Sequence, residues 1–140
     1  MYKRILIPVD GSEPSNHAVR HGVALAKKFG SEVVILNVIA PFPVVVVDSG
    51  HAVELREKLL QERKDMLAAY RERYRTEQVD IQTDIASGVA AEEICRKAEK
   101  GDFDLVVIGS RGLSPNERIL LGSVSARVCR CCFCPVLLVR

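Results

Sequence analysis

The chain has 140 residues, of which 27% are charged, and its acids and bases nearly cancel to a formal net charge of +2. This balance excludes the strong basic field that nucleic acids and anionic membranes attract, and the absence of tryptophan argues against a base-stacking surface. The length is typical of one domain, so we expect residues 1–140 to form a single domain.

The first residues, MYKRILIPVD, contain a short apolar run instead of the longer apolar core and cleavage site of a signal peptide. No apolar segment has the length needed to span a bilayer. We therefore expect a cytoplasmic protein that contacts neither membrane nor nucleic acid. In that compartment the five cysteines are expected to stay as free thiols or to bind metal.

The opening third of the chain predicts a strand, a helix and a second strand. Ile5 to Val9 is an apolar run interrupted by Pro8, which is typical of a strand buried on both faces. Ser12 is a good N-cap and Gly30 a good helix end, and the residues between them carry an apolar face at helical spacing. Val33 to Ile39 predicts the second strand.

The middle of the chain is less regular. Val44 to Val47 stand next to Pro41 and Pro43, and this pattern predicts an ordered loop instead of a central strand. Ala52 to Arg75 predicts a long amphipathic helix, whose apolar positions are Leu55, Leu59, Met66 and Tyr70. Val79 to Ala86 alternates in the manner of a half-exposed strand.

The last part of the chain predicts four more elements. These are a helix over Ala90 to Lys100, a strand over Phe103 to Ile108, a helix over Ser123 to Cys131, and a strand over Val136 to Val139. Regular alternation of strands and helices predicts an α/β fold with one parallel sheet and helices on both faces. If the strand order is 3-2-1-4-5, ligands would bind where the order reverses, between the first and fourth strands.

A glycine pattern follows the fourth strand. Gly109 is followed by two residues, then Gly112, then nine residues, then Gly122 and Ser123, where a helix is expected to begin. Glycines let the backbone come close to an anion, and the first turn of a helix offers unpaired N–H groups. No lysine follows Gly101, so a P-loop is excluded and the pattern predicts a phosphate held by backbone N–H groups, serines and Arg111 or Arg118.

Asp10 follows the first strand and would face this glycine loop. A carboxylate there could accept hydrogen bonds from ribose hydroxyls, and the alternative is an Asx-turn that merely ends the strand. Val9 and Val38 could enclose an adenine, or could be plain core residues. Ser123 and Ser125 could donate hydroxyls to phosphate oxygens, although a serine at the first position also serves as a simple helix cap.

Several stretches resemble the universal stress protein family: ILIPVDGSEPSNHAVRHGVALAK, SEVVILNVI, SGVAAEEICRKA, FDLVVIGSRG, LLGSVSARV and CPVLLVR. The glycine pattern is similar to that of the family's ATP-binding branch. The resemblance implies a Rossmann-like fold of the adenine nucleotide alpha-hydrolase type, and ATP or another adenine nucleotide bound with Mg²⁺ or Mn²⁺. The residues that it implicates in binding are Pro8, Val9, Asp10, Val38, Gly109, Arg111, Gly112, Gly122, Ser123, Val124 and Ser125.

The resemblance also implies a homodimer formed through the last strand. Val136 to Val139 is apolar at every position, and an edge strand of this kind is expected to be covered by the same strand of a second chain. Physical reasoning and resemblance therefore predict the same interface.

A cysteine cluster, Cys129, Cys131, Cys132 and Cys134, has no counterpart in the resemblance. Cys129 and Cys131 would point to nearly opposite sides of a helix, which disfavours one closed zinc site. The simplest expectation is a set of small buried residues at a helix-to-strand junction, with metal binding, a thiol switch or an intersubunit disulfide as alternatives.

The expected function is a nucleotide-dependent stress-response or signalling module with little or no hydrolysis. No nucleophile and base pair is evident, and His17, His21 and His51 are expected to be surface residues without a clear partner. One alternative is a slow ATPase or phosphotransferase. Another is a thiol- or metal-responsive sensor that uses the cysteine cluster.

Overall fold

Five parallel strands form one sheet in the order β3-β2-β1-β4-β5. The computed structural model describes residues 1–41, 50–112 and 121–140, so the predicted loop Val44 to Val47 lies outside the described residues. The strands are β1 (Arg4–Pro8), β2 (Glu32–Ile39), β3 (Asp80–Ser87), β4 (Leu105–Gly109) and β5 (Val136–Val139). The predicted α/β class and strand order are confirmed.

In the described ranges, four helices and one short 3-10 turn connect the strands. The helices are α1 (Glu13–Phe29), α2 (Ala52–Arg73), α3 (Ala90–Lys100) and α4 (Ser123–Cys131), and the 3-10 turn is Arg75–Glu77. The bounds of α3, α4 and β5 agree with the prediction from sequence. None of the described helices is both long enough and apolar enough to cross a membrane.

The alternation of side chains along the strands divides the core into two layers. Ile5 and Ile7 of β1 face α1 and α2, whereas Leu6 of the same strand faces α3 and α4. Val34 and Leu36 of β2 also face the second layer. Because strands buried on both faces are apolar at successive positions, the continuous apolar runs of β1, β2 and β4 are explained by burial on both sides.

Helix α1 begins and ends with the predicted capping residues. The Ser12 hydroxyl accepts a hydrogen bond from the Ser15 N–H at 3.3 Å, and Gly30 adopts a left-handed conformation with φ of 69°. Inside the helix, a Cβ at Gly22 would lie 2.3 Å from the Ile7 side chain. This glycine therefore allows α1 to pack closely on β1.

Helix α2 departs from the predicted amphipathic pattern. Its second half is packed on the sheet through Leu67 and Tyr70, but Leu55 in the first half is 49% exposed. The helix ends at Arg73 instead of Arg75, and the chain leaves the following 3-10 turn through Gln78 with φ of 58°. Apolar residues thus recur at helical spacing along a longer part of α2 than the part that packs on the sheet.

Candidate functional site

A cleft of about 440 Å³ lies at the carboxyl ends of β1 and β4, where the strand order reverses. All eleven residues predicted from the sequence line it: Pro8, Val9, Asp10, Val38, Gly109, Arg111, Gly112, Gly122, Ser123, Val124 and Ser125. The fold thus brings the whole predicted set into one place. The other predicted cation, Arg118, lies outside the described residues.

The first turn of α4 forms one wall of the cleft. Gly122 is the N-cap in an extended conformation, and it has no side chain that could accept from the turn. Its own N–H donates to the Ser110 carbonyl at 2.6 Å. The N–H groups of Ser123, Val124 and Ser125 have no acceptor within the described ranges, and together with the helix dipole they favour an anion.

Asp10 forms the Asx-turn that was one of the two predicted alternatives, and its second carboxylate oxygen stays available at the cleft. Its Oδ1 accepts a hydrogen bond from the Ser12 N–H at 2.9 Å, which is an Asx-turn at the strand end. Its Oδ2 faces the glycine loop, since a Cβ at Gly112 would lie 2.7 Å from that oxygen. Gly112 is therefore needed to leave room for the carboxylate, one of whose oxygens faces this glycine.

Ser125 differs in role from Ser123. It is buried, and its hydroxyl donates to the Gly109 carbonyl at 2.6 Å, so this donor already has a protein acceptor. Ser123 is exposed at the helix start. Ser125 thus joins the beginning of α4 to the end of β4, and Ser123 is the hydroxyl that is available to a ligand.

Gly109 serves the packing of the fold as well as the cleft. A Cβ at this position would lie 2.8 Å from the backbone of Pro14 in α1. Any side chain at the end of β4 would therefore push α1 away from the sheet. Gly122 is different, because a Cβ there would make ordinary contacts, 3.4 Å from the Arg111 Cα and 3.5 Å from the Ser110 carbonyl oxygen.

The rest of the cleft lining is mostly apolar and extends beyond the predicted residues. The sequence analysis missed five lining residues, which are Ser15, Leu36, Ala90, Ile94 and Ile108. Period-two alternation could have found Leu36, because it shares a sheet face with Val38. Ala90 and Ile94 come from α3, and their approach to the cleft depends on how that helix crosses the sheet.

Two polar side-chain contacts join elements around the end of β1. The Tyr70 hydroxyl donates to the Asn16 side-chain oxygen. Burial raises the pKa of Tyr70, and the charge of Asp10 adds to this rise, whereas a hydrogen bond with Ser15 and the charge of Arg73 oppose it. The Asn37 amide donates to the Val9 carbonyl at 2.8 Å. The first contact joins α2 to α1, and the second joins β2 to the residue that precedes Asp10.

The sequence predicted that His17 has no clear partner, but the structure shows two. Its Nδ1 lies 2.8 Å from the Arg140 carbonyl oxygen, and its Nε2 lies 3.8 Å from a Glu13 carboxylate oxygen. His21 and His51 are exposed. Within the described ranges, no three His, Cys, Asp or Glu side chains form a group that could hold a metal ion.

The expectation of free cysteines is wrong for one pair. Cys95 of α3 and Cys131 of α4 form a disulfide, with Cα atoms 6.3 Å apart. Cys129 is exposed, and Cys132 and Cys134 are half-buried, so the expected set of small buried residues is not found either. The sequence does not reveal this pair, because Cys95 lies 36 residues before Cys131 and outside the C-terminal cluster.

The family model described as the universal stress protein family matches residues 1–140. The chain belongs to the universal stress protein family. Among its relatives, universal stress protein MJ0531 of Methanocaldococcus jannaschii is 40% identical over 141 residues, a match that spans 100% of this chain and 83% of the relative.

Two solved structures extend the family comparison. The structure of MJ0577, a universal stress protein of the same archaeon, superimposes with a TM-score of 0.89 at 33% identity and covers 99% of this chain and 96% of its own. A universal stress protein solved in complex with cAMP has a TM-score of 0.77 at 26% identity and covers 99% and 97% of the two chains. The fold and the family are thus shown by independent comparisons.

Proposed function

We propose that this universal stress protein binds an adenine nucleotide, ATP with Mg²⁺ or Mn²⁺, in the cleft between β1 and β4, and that it acts as a nucleotide-dependent stress-response or signalling module. The observation that carries the proposal is the first turn of α4. Three backbone N–H groups at a glycine N-cap lack described acceptors and line the same cleft as Asp10.

The cleft offers each part of a nucleotide a matching surface. The phosphates would lie against the N–H groups of α4, with Ser123 and Arg111 as side-chain donors. The ribose would lie beside Asp10 and Gly112, within reach of the Asp10 carboxylate. The adenine would pack on the apolar wall near Val9 and Val38, and the volume of about 440 Å³ is in the range of small-molecule sites.

The cation would enter with the phosphates. Mg²⁺ keeps several waters and is usually held by one or two carboxylates together with substrate phosphate oxygens. Among the described lining residues, Asp10 is the carboxylate, and one of its oxygens is engaged by the Ser12 N–H. The residues therefore fit a cation whose ligands are chiefly phosphate oxygens and water, and its role would be to neutralise phosphate charge.

The family comparison supports an adenine nucleotide. A relative at 26% identity was solved with cAMP, an adenine nucleotide with a phosphate on the ribose. The lining of the present cleft supplies donors, a carboxylate and an apolar wall. These groups bind and orient a nucleotide, so we propose little or no hydrolysis, with the conformation around the bound nucleotide as the signal that partners recognise.

Calorimetric titration of the nucleotide-stripped full chain with ATP and Mg²⁺ tests this proposal. Saturable binding near one ATP per chain is expected, with weaker binding of GTP and with released phosphate below the protein concentration. AMP, titrated in parallel, measures what the additional phosphates contribute. No binding of any adenine nucleotide would contradict the proposal, and phosphate in excess of protein would contradict a module without turnover and favour an ATPase.

We also propose that two chains pair through β5. This strand is paired with β4 on one side and lies at the edge of the sheet. Leu137 and Leu138 are 36% and 38% exposed, and Phe133 just before the strand is 90% exposed. An apolar edge strand invites pairing with another strand, and a two-fold axis would cover both copies at once.

Light scattering on the full chain tests the dimer. Leu137→Glu is expected to shift the mass from that of two chains to that of one. Leu60→Glu is a matched control, because Leu60 on α2 is also 36% exposed. A monomeric unmodified chain, or a dimer unaffected by Leu137→Glu, would contradict pairing through this strand.

A further inference from the structure

A second cluster of reactive groups lies at the other end of α4, and none of its cysteines lines the cleft. Cys131 in the last turn is bonded to Cys95 of α3, and the Cys132 Sγ lies 3.3 Å from the Cys95 Sγ. We call Cys95, Cys131 and Cys132 the sulfur triad. Thiol–disulfide exchange begins with attack of a thiolate on a disulfide sulfur, and here a third sulfur is in contact with one.

Cys132 lies just beyond the last regular turn of α4, beside the disulfide. Cys132 is the C-cap of α4 and has an extended conformation, so it lies where the regular helix has ended. Its side chain contacts the sulfur that comes from the other helix.

The neighbours of the triad also distinguish it from the rest of the cysteine cluster. Cys129 lies on α4 but is exposed and outside the triad. Cys134 contacts Cys132 from the segment that leads to β5. Burial, and then the proximity of Cys134 and Cys129, raises the pKa of Cys132 to about 11. This thiol is therefore protonated at neutral pH.

We propose that the sulfur triad is a thiol–disulfide exchange site in which Cys95 alternates between two partners, Cys131 and Cys132. The site is separate from the nucleotide cleft and does not depend on the function proposed above. Its reaction partners would be small-molecule thiols and disulfides, which can approach because Cys131 is an exposed residue.

The internal step conserves atoms and electrons. The Cys132 thiol gives its proton to solvent, and the resulting thiolate attacks the Cys95 Sγ. The bond between Cys95 and Cys132 forms as the bond between Cys95 and Cys131 breaks, and Cys131 leaves as a thiolate that takes a proton from solvent. No net oxidation occurs, and a free thiol moves from a half-buried residue to an exposed one.

The first disulfide is formed by a small-molecule disulfide. Two protein thiols lose two electrons and two protons to form one protein disulfide, and the small-molecule disulfide is reduced to two thiols. The reverse reaction with a small-molecule thiol reduces the site. The exposed Cys131 thiol released by the internal step is then the group that such a disulfide would modify.

Disulfide mapping in two paired variants tests the shared role of Cys95. In the full chain, Cys131→Ser with Cys134→Ser leaves Cys132 as the one thiol after residue 130, and Cys132→Ser with Cys134→Ser leaves Cys131. Each variant is equilibrated with oxidised glutathione, alkylated in acid and digested for mass spectrometry. Both are expected to bond Cys95 to the remaining cysteine.

The unmodified chain supplies the measurement that does not depend on mutation. After oxidation and alkylation, it is expected to contain two forms, one with Cys131 alkylated and one with Cys132 alkylated, each with a single bond to Cys95. Cys129→Ser is the matched control on the same helix and should leave this distribution unchanged. Free Cys95 in the variant that retains Cys132, or no alkylation of Cys131 in the unmodified chain, would overturn the proposal.

Discussion

The two ends of α4 contrast in how they are built and in how far sequence could predict them. At the first turn, a glycine N-cap leaves three backbone N–H groups at the cleft. At the last turn, Cys131 is bonded to Cys95 of a different helix. A nine-residue helix is about 13 Å long, so one short element connects two different chemistries.

The contrast shows which kind of site a linear pattern can reveal. Every helix start has unpaired N–H groups. Here Gly122, which leaves them exposed, directly precedes them in the chain. The sulfur triad requires a residue 36 positions away from Cys131, and its proximity depends on how α3 packs beside α4. Local backbone chemistry is therefore predictable here, whereas contacts between remote side chains are not.

The largest expected effect is on stability at the cysteine end. Loss of a disulfide that closes a loop of this length is expected to lower the free energy of unfolding by about 2–4 kcal/mol. Cys95→Ser should show this full loss in urea unfolding of the oxidised chain at fixed concentration. Cys131→Ser should lose much less, because Cys132 can take its place; equal losses in the two variants would contradict a shared Cys95.

Gly122→Val should have the largest effect at the cleft end. A Cβ fits beside Arg111, but the two further methyl groups would occupy the space in front of the α4 amides. We expect ATP affinity to fall by about 2–3 kcal/mol, roughly 30- to 150-fold, in calorimetry. Gly50→Val is the matched control, since a Cβ at Gly50 meets no atom of the described residues within 4 Å. Equal affinities in both variants would contradict the phosphate position.

Asp10→Ala should weaken binding of every ribonucleotide by about 1–3 kcal/mol, as expected for loss of a charged hydrogen bond. Gly112→Ala should give a similar loss, because its Cβ would lie 2.7 Å from the Asp10 Oδ2 and displace the carboxylate. The double variant should bind about as well as Asp10→Ala alone. Additive losses would show that Gly112 acts independently of Asp10.

The exchange reaction should accelerate with pH. Cys132 must lose its proton to attack, and its pKa is raised to about 11 by burial and by Cys134 and Cys129, while Asp104 faces Cys134. Below that value, the thiolate fraction and the rate of Cys131 release should rise about tenfold per pH unit. Timed alkylation of the oxidised chain between pH 7 and pH 9 measures this, and a flat profile would contradict attack by Cys132.

The smallest expected effects distinguish the two serines of the cleft. Ser123→Ala should reduce ATP affinity by about 0.5–1.5 kcal/mol and leave stability unchanged, because this exposed hydroxyl is free for a ligand. Ser125→Ala should instead lower stability by a similar amount, since its buried hydroxyl donates to the Gly109 carbonyl. Calorimetry and thermal unfolding on both variants would expose a reversal of these roles.

The fold was largely predictable because its signals are local. Continuous apolar runs mark β1 and β2 as strands buried on both faces, and Ser12 and Gly30 mark the ends of α1. The extent of packing was less predictable, as Leu55 shows, because apolar spacing along α2 does not reveal where the sheet surface ends.

The candidate site was predicted for the residues that follow strands and precede a helix. Asp10, Gly112 and Gly122 come together because parallel strands end at one edge of the sheet. Ile94 and Ala90 were missed because their place in the cleft depends on the position of α3 across the sheet. From the sequence, the Ser125 hydroxyl was a candidate donor to phosphate oxygens. Its acceptor in the structure, the Gly109 carbonyl, is evident only in three dimensions.

Amide chemical-shift mapping of the full chain most directly tests the claim that the start of α4 binds phosphate. On addition of ATP and Mg²⁺, the amide resonances of Ser123, Val124 and Ser125 should shift strongly and in a saturable manner, and those of Cys95 and Cys132 should change little. AMP should move the α4 amides less than ATP does. Unchanged α4 amides at saturating ATP would contradict the central claim, because the donors on which it rests would not be meeting the nucleotide.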